Sequence, residues 1–578
     1  MKLIRKKALT ILSLMLAFYI SSYAQDKSEK IDKLVSAYSE YGLFSGTVLV
    51  ADESGVNFEK AYGFANIEWN VKNDIETKFR IGSITKQFTA LLILQLVEKG
   101  KISLEGTISD YLPYYRKDIG AKVTIHQLLN HTSGIPSYTS KPNFFTEISK
   151  KYYNPKDFVI EHCSDDPTFE PGSEWSYNNS GYFILGAILE EITGKAYADL
   201  AQEKIFEPLN MNSTGFDSHK EIIKKRATGY TKTPSGYENS DWIDMSLPYA
   251  AGSLYSTVGD LCKWDRSLYT DKLLSAKSRE LMMTPTLNEY GYGFVISSAP
   301  LANGDSVKIV AHGGGINGFS TMIFRLVESK ELIVALSNAP AANLNLMCME
   351  IVKILNDLEY VLPKKPITDF FIQYVKDEGS ENLPDVFNEI KENASETYDI
   401  SEGALNSLGY TFLQKGDTDA AIKIFEINIK EYPNSFNVYD SMGEAFMEAG
   451  DNERAIEYYN KSLELNPRND NAVTMLGKLG VEVEPVKDVE VAKEILETYV
   501  GEYQLMPNFI LLVSLKDNQL MSRATGQPEF PVFPESETKF YFKVVQATIE
   551  FNRNENGEVE SLTLVQNGRT MVAEKLTE

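Results

Sequence analysis

Cysteine and histidine are scarce in this sequence. Its 578 residues include three cysteines, Cys163, Cys262 and Cys348. An odd, widely spaced set of this kind does not make a disulfide framework, even in a compartment that permits disulfides. The five histidines, at positions 126, 131, 162, 219 and 312, form neither a His-Glu-x-x-His pair nor a Cys/His cluster. That argues against a zinc enzyme, and no metal or other cofactor is expected. Basic residues are outnumbered, 57 Lys and Arg against 81 Asp and Glu, for a net charge of −24. So acidic a surface repels nucleic acid and anionic membrane, and neither is expected as a partner. Beyond the N-terminus no apolar run is long enough to cross a bilayer, so no integral span is expected in the mature chain.

The one long apolar run that is present lies at the start. Lys2, Arg5, Lys6 and Lys7 precede an apolar stretch from Ala8 to Ile20, and Ser22-Tyr23-Ala24 offers small residues at the −3 and −1 positions of a cleavage site. This reads as a secretory signal peptide over residues 1–24, and predicts an exported protein, periplasmic or secreted. Its removal takes away four positive charges and no acid, moving the formal charge from −24 to −28.

Three kinds of patterning follow. From residue 25 to about 362, strand-like and helix-like stretches alternate. Ser45–Ala51 and Phe58–Phe64 flank Asp52-Glu53-Ser54-Gly55, a hairpin turn. Ser83–Gly100 has the apolar content and closing glycine of a buried helix. Val307–Ala311, Phe319–Val327 and Glu331–Ser337 read as strands, so strands from both ends of this region are expected to share one sheet. In residues 404–483, Leu408-Gly409, Met442-Gly443 and Leu476-Gly477 recur at a spacing of 34, as do Gly416-Asp417 and Gly450-Asp451, Ala421-Ile422 and Ala455-Ile456, and Pro433 and Pro467. This period resembles tetratricopeptide repeats, with two full units and a truncated third, and helical residues 363–403 capping the array. Residues 484–578 turn strand-rich after a short helix-like stretch at Glu490–Val500, with strands expected at Phe509–Leu515, Lys539–Val545, Thr548–Asn552 and Val559–Gln566 and an Asn-Gly hairpin at Asn554–Gly557. A small, partly closed barrel is expected. Tyr499-Val500-Gly501-Glu502-Tyr503 and Ala524-Thr525-Gly526-Gln527-Pro528 resemble an uncharacterised module attached to β-lactamase-related hydrolases.

The residues that carry chemistry lie in the first region. Ser83-Ile84-Thr85-Lys86 heads the buried helix. Its i, i+3 spacing sets a lysine amine beside a serine hydroxyl, and burial can lower the amine's pKa until it accepts the serine proton. The spacing alone is a weak signal, because Ser536-Glu537-Thr538-Lys539 repeats it in a charged stretch. In Tyr177-Asn178-Asn179 the phenol can relay a proton and the amide can hold a carbonyl. Five tyrosines, at 152, 177, 237, 432 and 458, are followed two places later by Asn. Context selects Tyr177, which lies between the Pro171-Gly172 turn and an apolar helix at Ser180–Thr193. The third element, His312-Gly313-Gly314-Gly315, sits where one strand is expected to end and the next to begin. There glycines admit a substrate to the backbone, although a tight turn would have the same composition.

In this order the three elements resemble the serine β-lactamase-related family, which includes class C β-lactamases, DD-peptidases, D-aminopeptidases and esterases. Phe79–Gly82, Thr124–Pro136, Ala251–Thr257 and Tyr290–Phe294 also fit, and are expected to lie outside the site. The resemblance covers roughly residues 30–360 and implies an α/β fold: a β-lactamase/transpeptidase-like antiparallel sheet with a helical subdomain, followed here by the α-helical repeat array and the small β-rich domain. It implies Ser83 as acylated nucleophile, with Lys86 and Tyr177 handling protons and the choice of base left open. Asn179 would hold the substrate amide. His312, Gly314 and Gly315 would line the substrate, with the N–H groups of Ser83 and Gly315 as the oxyanion hole. His126 and His131 are expected to pack or hydrogen-bond. Where many relatives have Lys-Thr-Gly, this chain has His312-Gly313-Gly314, so the cation and hydroxyl that grip a substrate carboxylate are missing. The expected function is hydrolysis of an ester or amide through an acyl-enzyme, on a small-molecule or peptide substrate. The alternative is a weakly active or inactive receptor or scaffold whose repeats recruit a protein partner.

Overall fold

The computed structural model describes residues 26–233, 236–300, 306–339, 341, 343–483, 489–506, 509–516, 518–524, 529–545, 547–554, 556–566 and 569–576. The expected signal peptide and Thr525–Pro528 lie outside the described residues, as does Glu555 of the expected Asn554–Gly557 loop. The chain forms two compact units, one ending at Pro363 and one starting at Lys364.

The first unit is built on a six-stranded sheet. Its strands are β1 (Gly46–Asp52), β2 (Gly55–Tyr62), β3 (Val295–Pro300), β4 (Ser306–Ile316), β5 (Phe319–Leu326) and β6 (Glu331–Ser337). The order is β3-β4-β5-β6-β1-β2, with every neighbouring pair antiparallel. Strands about 285 residues apart in sequence are thereby joined, Val48 facing Ala335 and Leu49 facing Val334. Gly46-Thr-Val-Leu-Val-Ala lacks polar alternation because both faces of the sheet are covered. Val48, Val50, Ile333 and Ala335 pack against Ile31, Leu34 and Val35 of the helix at 26–40, and against Met347 and Ile351 of a helix at Leu344–Leu355. Leu49, Val310, Ile323, Val334 and Leu336 face the larger cluster that includes α1 (Thr85–Glu98) and α2 (Asn179–Thr193).

The structure corrects two local expectations. Ser83 lies in a 3₁₀ turn, Gly82–Ile84, that feeds α1, so the α-helix begins at Thr85. The glycine run is strand: β4 continues through Ile316, with Gly313, Gly314 and Gly315 opposite Met322, Thr321 and Ser320. The chain reverses after Ile316, at Asn317-Gly318, where Gly318 takes the positive φ (78°).

The second unit opens with helices Ile367–Glu378 and Leu383–Ala394 and continues through Glu402–Gln414, Thr418–Glu431, Phe436–Glu448, Asn452–Leu465 and Asp470–Lys478. All seven contribute to one core. The repeated Gly-Asp marks the turn inside each repeat. Gly416 and Gly450 adopt φ of 76° and 77°. Asp417 and Asp451 then cap the following helices, accepting the N–H of Ala420 and Arg454 at 3.1 Å. Beyond them, eight strands from Gly501 to Lys575 form a closed antiparallel barrel, sealed by Tyr503 and Gln504 against Lys575 and Glu574. Sequence patterning identified four of these strands, and where it expected partial closure the barrel is closed. It missed Gly501–Met506, Gln519–Ala524, Phe530–Pro534 and Arg569–Lys575, which are polar or carry proline. Tyr499, on the helix Lys493–Tyr499, stacks on Phe551 at 4.0 Å.

One buried ion pair ties the sheet of the first unit to a helix. Arg325 on β5 donates from Nε to Asp265 Oδ1 at 2.5 Å, and both side chains are at most 1% exposed. Asp265 lies on the helix Val258–Ser267. Removing one partner strands a buried charge, so Asp265→Ala should lower the stability of the first unit by about 3–5 kcal/mol. All four tryptophans, at 69, 175, 242 and 264, lie in this unit. Tryptophan fluorescence in a urea titration would therefore report the loss.

Candidate active site

Ser83, Lys86, Tyr177, Asn179, His312, Gly314 and Gly315 converge where the start of α1 meets β4. Two glycines allow that meeting. Gly82 has φ of 50°, and a Cβ there would stand 2.9 Å from Gly315 N. A Cβ on Gly314 would stand 2.0 Å from the Ile81 carbonyl oxygen. The turn carrying Ser83 is therefore in backbone contact with the strand, at a separation that no larger residue permits. Thr321 on β5 secures the contact, its hydroxyl donating to Ile81 O at 3.0 Å.

Lys86 is fully buried. Its Nζ stands 3.1 Å from Ser83 Oγ, 2.8 Å from Asn179 Oδ1 and 3.0 Å from Ala251 O. It also lies over the rings of Tyr177 and Tyr182, at 4.9 and 5.5 Å from their centroids. Burial, with no carboxylate to offset it, holds the amine well below the ordinary lysine range. Two of its three polar neighbours are carbonyl oxygens, which can only accept. A neutral amine has two N–H groups, and these two oxygens use both, so the lone pair is left for Ser83 Oγ.

Tyr177 is carried on the loop before α2. Asn178 caps that helix, its Oδ1 accepting from Gly181 N at 2.8 Å. Burial raises the Tyr177 phenol above its ordinary value, and a hydrogen bond with Ser83 partly opposes the rise. Asn179 is already engaged within the protein: Oδ1 accepts from Lys86 Nζ, and Nδ2 donates to Thr139 Oγ1 at 3.2 Å.

His312 is 5% exposed, and both ring nitrogens are in use. Nδ1 lies 2.6 Å from Gly313 O, which fixes it as the protonated nitrogen, and Nε2 lies 2.9 Å from the Tyr290 hydroxyl and accepts from it. Burial and the nearby Lys86 lower its pKa to about 4. At neutral pH His312 therefore offers no cation to a substrate.

Several residues around this centre were not singled out as site residues. Ala251, His131, Tyr290 and Tyr292 belong to segments that fit the family pattern yet were expected to lie outside the site. The structure brings Ala251 O to Lys86, Tyr290 to His312, and the His131 ring to 4.5 Å from that of Tyr177. Tyr292 meets His126, hydroxyl to Nδ1, at 2.6 Å. Thr139 and Trp175 carried no pattern. By contrast, Ser536 is exposed in a turn of the barrel, its Oγ accepting from Lys539 N at 3.0 Å.

The family model described as Beta-lactamase matches residues 31–345. Tetratricopeptide repeat models match 407–435 and 436–469, and the Domain of unknown function (DUF3471) matches 486–575. Penicillin-binding protein 4* of Bacillus subtilis (strain 168) is 31% identical over 337 residues, covering 54% of this chain and 72% of that protein. Teichoic acid D-alanine hydrolase of Staphylococcus aureus is 32% identical over 267 residues, covering 46% and 62%. The crystal structure of penicillin binding protein from Bacillus halodurans superposes with a TM-score of 0.51 at 26% identity, covering 56% of this chain and 98% of that one.

The depressed pKa of His312 (about 4, against an ordinary value of about 6.5) links folding to pH. Between those values the unfolded histidine binds more protons than the folded one, so the contribution of His312 to stability is full above about pH 6.5 and falls as pH drops toward 4. His131, lowered well below its ordinary value by burial, adds in the same direction. The urea midpoint read by tryptophan fluorescence should therefore fall between about pH 7 and pH 5. His312→Gln should make that fall shallower, by up to about 1.4 kcal/mol per pH unit.

Proposed function

The chain belongs to the β-lactamase family, and from that premise we propose that Ser83 forms an acyl-enzyme on esters or amides whose acyl portion bears no carboxylate for the enzyme to grip. The protein is a serine hydrolase, and its partner in the reaction is a small-molecule or peptide substrate. The observation that carries the reading is the environment of Lys86: a buried amine held by Asn179 Oδ1 and Ala251 O and standing 3.1 Å from the hydroxyl oxygen of Ser83.

In the proposed reaction Ser83 Oγ attacks the substrate carbonyl carbon and Lys86 Nζ takes its proton. The oxyanion is held by the N–H groups of Ser83 and Gly315. When the intermediate collapses, the carbonyl carbon parts from its alcohol or amine, which leaves with a proton delivered by Tyr177. The phenol is reprotonated from Lys86, leaving the amine neutral again. Water then adds to the acyl-enzyme, its proton taken by Lys86 Nζ and passed to Ser83 Oγ as the acid departs. Asn179 orients Lys86 as well as facing the substrate. A substrate carboxylate would meet neutral His312 where many relatives have a lysine, which supports slow or absent turnover of β-lactams. A protein similar to this chain acts on teichoic acid D-alanine. That likeness, with the neutral site, favours D-aminoacyl esters or amides.

We assign residues 1–24 to a signal peptide, 25–362 to the hydrolase, 363–403 to a cap, 404–483 to the repeats and 484–578 to the barrel domain. The protein is exported in this reading, periplasmic or secreted, and a protein partner docks on the repeats.

Intact-mass spectrometry after exposure to a fluorophosphonate, and separately to a penicillin, tests the reading. A single fluorophosphonate adduct that is absent from Ser83→Ala is expected, with little or no penicillin adduct. Lys86→Met should slow the labelling by about 10²–10⁴-fold. Failure of the folded protein to label with either reagent would favour the receptor reading, and efficient penicillin turnover would overturn the substrate assignment.

A further inference from the structure

His131 takes no part in the reaction as written, yet it is among the most constrained side chains near the site. It is 1% exposed and has φ of 65°, a conformation uncommon for any residue but glycine and retained where the surroundings over-determine it. Those surroundings converge on the loop that carries Tyr177. The N–H of Ser176 donates to His131 O at 3.0 Å, and the N–H of Asn178 donates to His131 Nδ1 at 3.2 Å. The residues on either side of Tyr177 are thus tied to one histidine. The ring lies 4.5 Å from the Tyr177 ring at 47°, with Tyr290, Tyr182 and Trp175 at 4.6, 5.3 and 6.0 Å. Because Nδ1 accepts, the proton sits on Nε2, a buried atom without a hydrogen-bond partner among these rings. An imidazolium could not accept the Asn178 N–H, so the tie requires the neutral ring.

We propose that His131 is a positioning residue that holds the Tyr177 phenol in line with Ser83 and Lys86, through its carbonyl, its Nδ1 and its ring face. The proposal rests on the reading of Tyr177 as the group that protonates the leaving atom. It has a consequence that a purely structural role lacks. Loss of His131 impairs turnover only where the leaving group needs that proton. A p-nitrophenolate or fluoride departs without it, whereas an alkoxide does not.

The test uses the full chain and four variants: His131→Ala, His131→Asn, Tyr177→Phe and the double variant His131→Ala/Tyr177→Phe. Asparagine tolerates positive φ and can offer Oδ1 to Asn178 N–H, but it brings no ring. The substrates are D-alanine methyl ester and D-alanine p-nitrophenyl ester, with fluorophosphonate labelling of Ser83 as the check on folding. His131→Ala is expected to lower kcat on the methyl ester by about 10–100-fold, with KM changed less than about twofold. Labelling and p-nitrophenyl ester turnover should stay within about threefold of the parent. His131→Asn should recover part of the loss, and in the Tyr177→Phe background His131→Ala should add less than about twofold. Equal losses on both esters, or a loss that adds in full to that of Tyr177→Phe, would overturn the positioning role. An impaired Tyr177→Phe beside a fully active His131→Ala would overturn it alone. A fully active Tyr177→Phe would remove the reading of Tyr177 and this proposal together.

Discussion

A primary amine that is fully buried and lacks a carboxylate cannot remain an ordinary ammonium, and much of the first unit is arranged around that constraint. Lys86 sits at the start of α1 with a side chain long enough to reach back to Ser83. Its polar neighbours are the Asn179 amide and the Ala251 carbonyl, and the rest of its surroundings include the rings of Tyr177 and Tyr182. Such a setting withholds the solvation a cation needs while satisfying the N–H groups of a neutral amine. Three distant stretches of chain meet at this one nitrogen, and each depends on the others for its place.

The same preference for neutrality extends to the wall formed by β4. His312 gives its proton to Gly313 O and accepts from Tyr290, so it is held as a neutral ring by hydrogen bonds as well as by burial. In a site that presents a lysine here, the wall would attract a carboxylate. In this one it presents backbone, because Gly313, Gly314 and Gly315 carry no side chains. What the wall offers is N–H and C=O groups and the surrounding aromatic rings.

The second unit illustrates how a repeat is made from few marks. Glycine at positive φ ends one helix, aspartate caps the next, and alanines at positions 421 and 455 are buried in the shared core. The barrel relies on another device, closure, which pairs its first and last strands and leaves no open edge.

What the sequence determined by itself was whatever depends on short range or on strict period. The Ser83–Lys86 spacing, the turn at Asp52–Gly55, the 34-residue repeat and the apolar helix after Tyr177 are properties of neighbouring residues, and each is found where the pattern put it. The family resemblance carried the reading further, to a sheet assembled from the two ends of the first region and to the residues that meet beside it. Only the tertiary structure decided the rest. Whether His312-Gly313-Gly314-Gly315 is turn or strand depends on pairing with β5, since glycine suits both. Closure of the barrel depends on strands too polar to stand out alone. Ala251 contributes a carbonyl oxygen, which no side-chain pattern can reveal, and His131 ties a loop 45 residues further along the chain. The states of Lys86 and His312 were decided there as well, because protonation follows solvation, and solvation is set by everything the fold brings around a group.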